Sequence, residues 1–319
     1  MKIAFHSGYL GFRGTEVALM DYAWGNKEIL GNESFFLLPW REGVENHPVV
    51  RVMSGIAPVR FYRDADEREA ILQEEGADYF YAIKNGWNDG VYSKRVVTGI
   101  HAIFRESEFH GDIYAYVSPW LSEVMAHGKT PWVPHMVRLA DTQENLRPEL
   151  GIPNDAVVFG RHGGDDSFDI PWVQKTVLRF ARKNPDVHFL FLNTRAFFKE
   201  NLPNVHHLPG TADVKKKRAF LNTANAMIHG RQRGETFGLA CLEFAALGKT
   251  VLTYADSPEQ GHLGVLGAAC QTYRDEGGLT EVLLMQGGEN HGVGFSGFYP
   301  EAVMNRFRDV FLQPQSAIR

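Results

Sequence analysis

Short, uninterrupted apolar segments recur along this chain, each bounded by turn residues and followed by a helical pattern. Apolar runs without alternation are typical of strands buried on both faces, as in parallel sheets. A first series of predicted strands spans residues 2–6, 35–39, 59–62, 79–83, 95–100 and 113–117. A second series spans residues 156–159, 187–192, 205–208, 226–229 and 250–254. Because strands and helices alternate in both series, the sequence predicts an α/β protein with doubly wound sheets.

The length of 319 residues favours two such domains rather than one. A polar stretch at residues 141–145 leads into Pro148 and then a Gly-Ile-Pro turn, after which a new strand begins. We therefore predict a first Rossmann-like domain at residues 1–147 and a second at 148–298. Residues 299–319 are expected to form a C-terminal helix that packs back toward the first domain. Two such domains facing each other would line a cleft with the carboxyl ends of both sheets, where ligands bind.

The composition excludes several classes of partner. Lys and Arg total 33 against 38 Asp and Glu, so no basic field attracts nucleic acid or an anionic membrane. Only two cysteines are present, Cys241 and Cys270, which excludes a disulfide framework and favours a reducing, cytoplasmic compartment. No segment is long and apolar enough for a transmembrane helix, so integral membrane contact is not expected. The pair His206-His207 lacks further ligands at useful spacing, so no metal site is expected. The sequence does not indicate an oligomeric state.

Three glycines, Gly8, Gly11 and Gly14, follow the first predicted strand. Glycines at this position let the backbone approach a phosphate, which makes Arg13 and Gly14 candidate phosphate-binding residues. The spacing also matches the nicotinamide-binding turn of short-chain dehydrogenases. Against that interpretation, no acidic residue follows the second strand, and no Tyr has a Lys four positions later. A tight turn without a ligand remains the structural alternative.

The most informative segment surrounds two glutamates in the second half of the chain. A strand is predicted to end at His229, and a helix to begin with Thr236 as N-cap and end before Gly248. Glu235 therefore stands at the junction of loop and helix. Glu243 lies two turns further, about 12 Å along the helix axis.

This arrangement predicts a site for a diphosphate and two sugar rings. Backbone amides at Phe237, Gly238 and Leu239 are expected to bind the diphosphate, helped by the helix dipole. Glu243 would then accept hydrogen bonds from ribose hydroxyls, and Glu235 from hydroxyls of a transferred sugar. A capping residue and a surface glutamate at chance spacing remain the structural alternative.

The segment ETFGLACLE at residues 235–243, continued to residue 252, resembles the signature of the retaining glycosyltransferases of family 4. In that family two glutamates with seven residues between them flank a Phe-Gly-Leu-type helix start. The resemblance implies a GT-B fold of two facing Rossmann-like domains, the second of which binds a nucleotide sugar. It also implies transfer of the sugar to a glycan or glycolipid acceptor with retention of configuration, and without a metal or other cofactor.

Further segments are similar to the same family. Residues 97–101 resemble its strand that ends in a histidine facing the donor sugar, which here is His101. Residues 158–161 resemble the opening strand of the donor domain, whose arginine, here Arg161, contacts the diphosphate. Residues 117–121 and 134–137 are similar to elements near the end of the first domain. The resemblance thus makes Glu235 and His101 the candidate catalytic residues.

One position departs from the family pattern. Five residues after the diphosphate-binding arginine the family has a lysine, whereas this chain has Asp166. Because a carboxylate repels a diphosphate, we expect Arg233, Arg231 or Arg13 to supply the missing positive charge.

Several interpretations remain open or are excluded. A nucleotide-sugar 2-epimerase of the same fold and an inactive nucleotide- or glycan-binding relative are the alternatives to a glycosyltransferase. Glu16 is a candidate for the acceptor side. Gly248-Lys249-Thr250 is not a P-loop, because the earlier glycine is absent and a helix precedes it. The basic run at residues 215–218 is expected on a solvated helix face.

Overall fold

The computed structural model describes residues 1–11, 13–286 and 294–313. The chain divides into two compact units, one made of Met1–Arg138 with the segment from Ser296, the other of Leu139–Phe295. Residues 287–293, near the end of the predicted second domain, lie outside the described residues. The last six positions of the predicted C-terminal helix, 314–319, also lie outside them.

The first unit is built on a six-stranded sheet in which every pair of neighbours is parallel. Its strands are β1 (Lys2–Ser7), β2 (Glu33–Pro39), β3 (Val59–Tyr62), β4 (Tyr79–Lys84), β5 (Val97–Ala102) and β6 (Ile113–Tyr116). Its helices are α1 (Gly14–Glu28), α2 (Pro48–Ser54), α3 (Ala65–Glu74) and α4 (Pro119–Ala126). The strand order β3-β2-β1-β4-β5-β6 is that of a Rossmann fold.

The second unit repeats this arrangement with the order β14-β12-β10-β7-β8-β9. Its strands are β7 (Val157–His162), β8 (Val187–Leu192), β9 (Val205–Leu208), β10 (Ala226–His229), β11 (Gly234–Glu235), β12 (Val251–Tyr254), β13 (Glu259–Gln260) and β14 (Cys270–Tyr273). Its helices are α5 (Arg147–Leu150), α6 (Pro171–Lys183), α7 (Val214–Thr223), α8 (Leu239–Ala245), α9 (Gly261–Leu266) and α10 (Glu276–Leu284). Strands β11 and β13 pair with each other in a separate two-stranded sheet.

The predicted fold class is confirmed: the chain forms two parallel, Rossmann-like α/β sheets. Every predicted strand is present, although β5 begins two residues later than predicted. The sequence pattern did not reveal β11, β13 and β14. The first two are only two residues long, and β14 is a partly exposed edge strand with polar Gln271 and Thr272 at its centre.

The core of the second unit shows why the apolar pattern specifies this fold. Helix α6 carries Val173, Val177, Phe180 and Ala181 at helical spacing, and all four are buried. They pack against side chains from the central strands, so the helix covers one face of the sheet. The strand residues of this core are Phe159, Phe189, Phe191, Ala226, Ile228 and Leu252.

The last helix, α11 (Pro300–Phe307), continues as a π-helical turn at Arg308–Leu312 and packs on the first unit. Phe307 stacks on Tyr22 with ring centroids 5.2 Å apart, and Phe311 meets Tyr81 edge-on at 5.2 Å. A Cβ atom on Gly25 would lie 2.7 Å from Cγ of Met304, so a glycine in α1 allows this close approach. The C-terminal segment therefore completes the core of the first unit.

Candidate functional site

The two central strands of the second sheet, β7 and β10, lead to loops that diverge. The chain continues from β7 to β8 and β9 on one side of the sheet, and from β10 to β12 and β14 on the other. Open α/β sheets bind ligands at such a switch point, outside the carboxyl ends of the strands. Two hydrogen bonds connect the loops: the Asp169 amide donates to the Gly230 carbonyl (3.1 Å), and the Gln232 amide to Asp169 Oδ1 (2.7 Å).

Glu235 is the acidic residue at this switch point, and its side chain is 25% exposed. Its Oε2 accepts a hydrogen bond from Nη1 of Arg231 (2.7 Å), and its Oε1 lies 3.4 Å from Nε2 of His229. Burial by itself would raise the pKa of Glu235, but Arg231 and His229 outweigh burial and lower that pKa to about 2. The carboxylate is therefore ionised, fixed by two partners and still accessible.

Behind Glu235 lies a buried chain of polar side chains. Nδ1 of His229 is 2.9 Å from the Thr253 hydroxyl oxygen, which is 3.0 Å from Nε2 of His262. The Tyr273 hydroxyl donates to the His229 carbonyl oxygen (2.7 Å) and fixes the backbone at the end of β10. Burial lowers the pKa of His262 to about 3, so this imidazole is neutral. Thr253 and His262 carried no sequence motif and were missed by the sequence analysis.

Glu243 lies in a buried cluster of charges. Its Oε1 accepts a hydrogen bond from Nζ of Lys217 (2.5 Å), and its Oε2 lies 3.0 Å from Nε2 of His162. Only 2% of Glu243 is exposed. Burial opposes ionisation, but Lys217 and His162 lower the pKa of Glu243 to about 2.

The burial of this cluster bears on two expectations from the sequence. Only 3% of the Glu243 side chain is exposed, and its contact with ribose hydroxyls stays a prediction. Lys217, expected on a solvated helix face, has a side chain that is only 13% exposed. Lys249 belongs to the Gly248-Lys249-Thr250 segment. Its Nζ donates hydrogen bonds to the carbonyls of Leu221 and Ala224 and caps the C-terminus of α7.

The start of the glutamate helix differs from the prediction. Helix α8 begins at Leu239 with Gly238 as its N-cap, not with Thr236. Gly238 has φ +85°, which interrupts the helix, and Gly234–Glu235 pair with β13 as an extended strand.

The segment around this start is also buried. Thr236, Phe237, Gly238 and Leu239 are all inaccessible, and a Cβ on Gly238 would lie 2.6 Å from Cβ of His262 in α9. Helix α9 thus packs against the segment, and the binding of a diphosphate by the amides at residues 237–239 stays a prediction.

Arg161 is at the switch point, but its guanidinium organises the loop after β7. Nη1 and Nη2 both donate to the Gly164 carbonyl (3.1 Å each), Nη2 donates to the Ser167 hydroxyl (2.6 Å), and Nη1 to the Thr194 hydroxyl. Burial lowers the pKa of Arg161 to about 10, so it stays charged. The guanidinium makes these bonds within its own loop, and its contact with a diphosphate stays a prediction.

The remaining predicted cations lie in two places. In the loop after β10, Nε of Arg233 donates to Oε1 of Glu259 (2.8 Å), and the Arg233 side chain is 50% exposed. In the first unit, Arg13 is the N-cap of α1 and Gly14 its first residue. Asp166, at the position where a lysine was expected, is exposed in the loop after β7.

His101 makes internal hydrogen bonds with both of its ring nitrogens. It is fully buried in the first unit, where Nε2 donates to the Val133 carbonyl (2.9 Å) and Nδ1 accepts from the Tyr81 hydroxyl (2.6 Å). Burial lowers the pKa of His101 to about 3. Both ring nitrogens are thus used inside the core, and a contact of this histidine with a donor sugar stays a prediction.

The carboxyl edge of the first sheet carries a cavity of about 210 Å³. It is lined by the loops after β1 and β2, with Tyr9, Arg41 and His47 among its side chains. Exposed aromatic rings stand on four loops at this edge, those after β1, β2, β4 and β5. These residues are Tyr9, Trp40, Trp87 and Phe109.

Within the described ranges, no group of three or more His, Cys, Asp or Glu side chains is arranged to hold a metal ion. None of the helices in the described part of the chain combines the length and apolar character needed to cross a membrane.

The two Rossmann-like sheets and the switch point are similar to those of the GT-B class of α/β proteins. No protein-family model and no curated protein sequence matches the chain. Solved structures do match over nearly its whole length.

A glycosyltransferase from Rickettsia africae has a TM-score of 0.64 and 11% identity, with 97% of this chain and 94% of that chain covered. Anabaena HepE, solved with UDP and glucose, has a TM-score of 0.62 and 15% identity, with 98% and 95% covered. A UDP-N-acetylglucosamine 2-epimerase has a TM-score of 0.58 and 12% identity, with 98% and 96% covered. The chain therefore has the GT-B fold.

Replacing Gly234 with alanine should destabilise the second unit by roughly 3 kcal/mol. Gly234 has φ +79°, and an added Cβ would overlap the Glu259 carbonyl oxygen in the strand that pairs with it. Gly248 is the matched control, because its φ is +73° but nothing lies within 4 Å of an added Cβ. Gly248→Ala should cost only about 1–2 kcal/mol in urea unfolding. Equal losses for the two variants would contradict the steric explanation.

Replacing Glu16 with glutamine should stabilise the first unit increasingly as the pH rises from 4.5 to 7. Burial raises the pKa of Glu16 to about 7, although hydrogen bonds from the backbone N–H groups of Glu16 and Arg13 act to lower it. The folded state thus binds a proton that the unfolded state has lost, so wild-type stability falls across this window, by up to about 3 kcal/mol. Glutamine does not titrate, yet its side-chain oxygen can still accept the hydrogen bond from the backbone N–H of Arg13.

Urea unfolding at pH 4.5 and pH 8 measures this difference. Glu28→Gln, on an exposed side chain at the end of the same helix, is the control and should show no such pH dependence. If the difference in the free energy of unfolding between Glu16→Gln and wild type were the same at both pH values, the prediction would be wrong.

Proposed function

We propose that this chain is a glycosyltransferase that moves a sugar from a nucleoside-diphosphate sugar to a glycan or glycolipid acceptor, with retention of configuration. The proposal is supported above all by the position of Glu235. Its ionised, accessible carboxylate lies at the switch point of the second sheet, in a chain with the GT-B fold. Several proteins of this fold are glycosyltransferases by name. We expect the reaction to need no metal ion and to occur in the cytoplasm.

The donor is proposed to bind at the switch point of the second unit. Arg233 is half-exposed beside Glu235 and is the best-placed cation for the diphosphate, since Arg161 is occupied inside its loop. Glu235 would accept hydrogen bonds from the sugar and stabilise positive charge as the glycosidic bond to phosphate breaks. Positive charge from Arg233 would stabilise the departing diphosphate. The binding of UDP by Anabaena HepE makes uridine diphosphate the first nucleotide to try.

The acceptor is proposed to bind at the carboxyl edge of the first sheet. Tyr9, Trp40, Trp87 and Phe109 are exposed there on separate loops, and exposed apolar clusters mark binding surfaces. Aromatic rings beside polar groups such as Arg41 and His47 match the mixed surface of a sugar ring, which has apolar C–H faces and hydroxyl edges. These features favour a glycan-bearing acceptor.

The proposal is tested first by binding and then by transfer. A thermal-shift panel of nucleoside diphosphates and their sugars should identify one base that raises the melting temperature through mass action. With the matching nucleotide sugar and an acceptor library, release of nucleoside diphosphate should require an acceptor. No stabilisation by any nucleotide would reject the function.

Arg233→Ala should weaken the affinity for the nucleotide by roughly tenfold to a hundredfold, because a charge-assisted contact to phosphate is lost. Isothermal titration calorimetry measures the affinity. Arg179→Ala, which removes an exposed arginine paired with Glu276 on the surface, is the matched control and should bind like wild type. Equal affinities for Arg233→Ala and wild type would remove Arg233 from the site.

A nucleotide-sugar 2-epimerase is the second candidate, favoured by the match to a UDP-N-acetylglucosamine 2-epimerase over 98% of this chain. Such an enzyme needs no acceptor. Incubation with the nucleotide sugar alone, followed by separation of the isomers, distinguishes the two: an isomerised donor without acceptor indicates an epimerase.

A further inference from the structure

A buried polar chain extends from Glu235 into the core of the second unit. It comprises His229, Thr253 and His262, with successive contacts of 3.4, 2.9 and 3.0 Å. Thr253 and His262 are fully buried and His229 is 4% exposed. Buried polar groups favour hydrogen-bond partners, which constrains the placement of the protons along these contacts. Among the described residues Nδ1 of His262 has no hydrogen-bond partner.

The donors and acceptors in this chain can be counted. An ionised carboxylate only accepts, so the contact between Glu235 and Nε2 of His229 requires a proton on Nε2. The inference takes the His229 ring as neutral, and a neutral imidazole has one N–H, which leaves Nδ1 of His229 as an acceptor. The Thr253 hydroxyl has one proton, and it must donate that proton to Nδ1.

The same count fixes the last member of the chain. Having donated its proton to His229, the Thr253 oxygen is the acceptor of its second contact, so Nε2 of His262 carries the proton there. Every bond then points in one direction, from His262 through Thr253 and His229 to Glu235. Bonds aligned in this way polarise one another and strengthen the chain.

We propose that Thr253 and His262 are positioning residues that hold His229 in its Nε2–H tautomer and thereby orient the Glu235 carboxylate toward the sugar. The role of Glu235 in this statement rests on the proposed function, whereas the tautomer does not. Thr253 is a positioning residue because it acts only through His229 and lies outside the reach of a substrate.

Three forms of the protein test this inference. Thr253→Val keeps the shape of the side chain but removes the hydroxyl, and Thr253→Ser keeps the hydroxyl. Long-range ¹H–¹⁵N spectra of the histidine rings at neutral pH identify which nitrogen of His229 is protonated. We expect Nε2–H in wild type and Thr253→Ser, and a mixture of tautomers in Thr253→Val.

The transfer reaction provides a second readout. Thr253→Val should lower kcat roughly tenfold with an unchanged affinity for the nucleotide, and Thr253→Ser should restore the rate. A merely structural role for Thr253 would alter both constants or neither. Should Thr253→Val fail to fold, His262→Gln, which removes the imidazole that fixes the Thr253 hydroxyl, replaces it with the same expectation.

Two results would overturn the inference: an Nδ1–H or doubly protonated His229 in wild type, or a Thr253→Val protein that keeps both the tautomer and the rate. An Nε2–H tautomer in a protein that transfers no sugar would leave the hydrogen-bonded chain standing and reject the proposed function alone. The two failures are therefore distinguishable.

Discussion

Glu235→Gln should lower the rate of sugar transfer by about a hundredfold to a thousandfold, with the protein still folded and still binding nucleotide. Glutamine has nearly the same shape as glutamate but no negative charge, so it loses the electrostatic stabilisation of a positively charged transition state. It also loses the ionic attraction to Arg231. Steady-state kcat with saturating donor and acceptor measures the effect.

The matched control for this variant is Glu276→Gln, an exposed glutamate that pairs with Arg179 on the surface of the same unit. It should transfer sugar at the wild-type rate. If Glu235→Gln retained a rate within about threefold of wild type, Glu235 would not be catalytic, and the proposed chemistry at the switch point would fail.

Glu243→Leu should destabilise the second unit by about 3–5 kcal/mol, because it leaves Lys217 and His162 without their buried counter-charge. Lys217→Met should be costly for the same reason, since it leaves the Glu243 carboxylate buried beside His162 alone. The double variant Glu243→Leu with Lys217→Met removes both charges and should recover most of the loss. Urea unfolding at neutral pH measures all three.

Two outcomes would contradict this interpretation of Glu243: single losses below about 1 kcal/mol, or a double variant whose loss is the sum of the singles. The pH dependence gives an independent check. Because the pKa of Glu243 is lowered to about 2, its contribution is present above pH 4.5 and is lost as the pH falls toward 2.

The fold was predictable because strands buried on both faces have continuous apolar sequences. Segments such as Phe189-Leu190-Phe191 are apolar without interruption, and the structure buries all three in a central parallel strand. β14 lacks a continuous apolar sequence, because an edge strand with one partly exposed face tolerates Gln271 and Thr272. The helix start was misplaced because Gly238 adopts a left-handed conformation that its sequence context does not reveal.

The candidate site was predictable only in part. The sequence indicated that Glu235 follows a buried strand, and the structure has it six residues after the end of β10, in β11. The partners of Glu243 could not be foreseen, because Lys217 lies 26 residues away on another helix, in a run that resembles a solvated face. The partners of His101 could not be foreseen either: a family-like motif suggested a ligand contact, and tertiary packing gives both ring nitrogens partners within the core.

The most direct test is a crystal structure of the chain with the nucleoside-diphosphate sugar that gives the largest thermal stabilisation. The diphosphate should contact the loop after β10 at Arg233, and the sugar should lie within hydrogen-bonding distance of Glu235. A nucleotide bound elsewhere, for example in the cavity of the first unit with the switch point of the second unit empty, would contradict the proposed donor site.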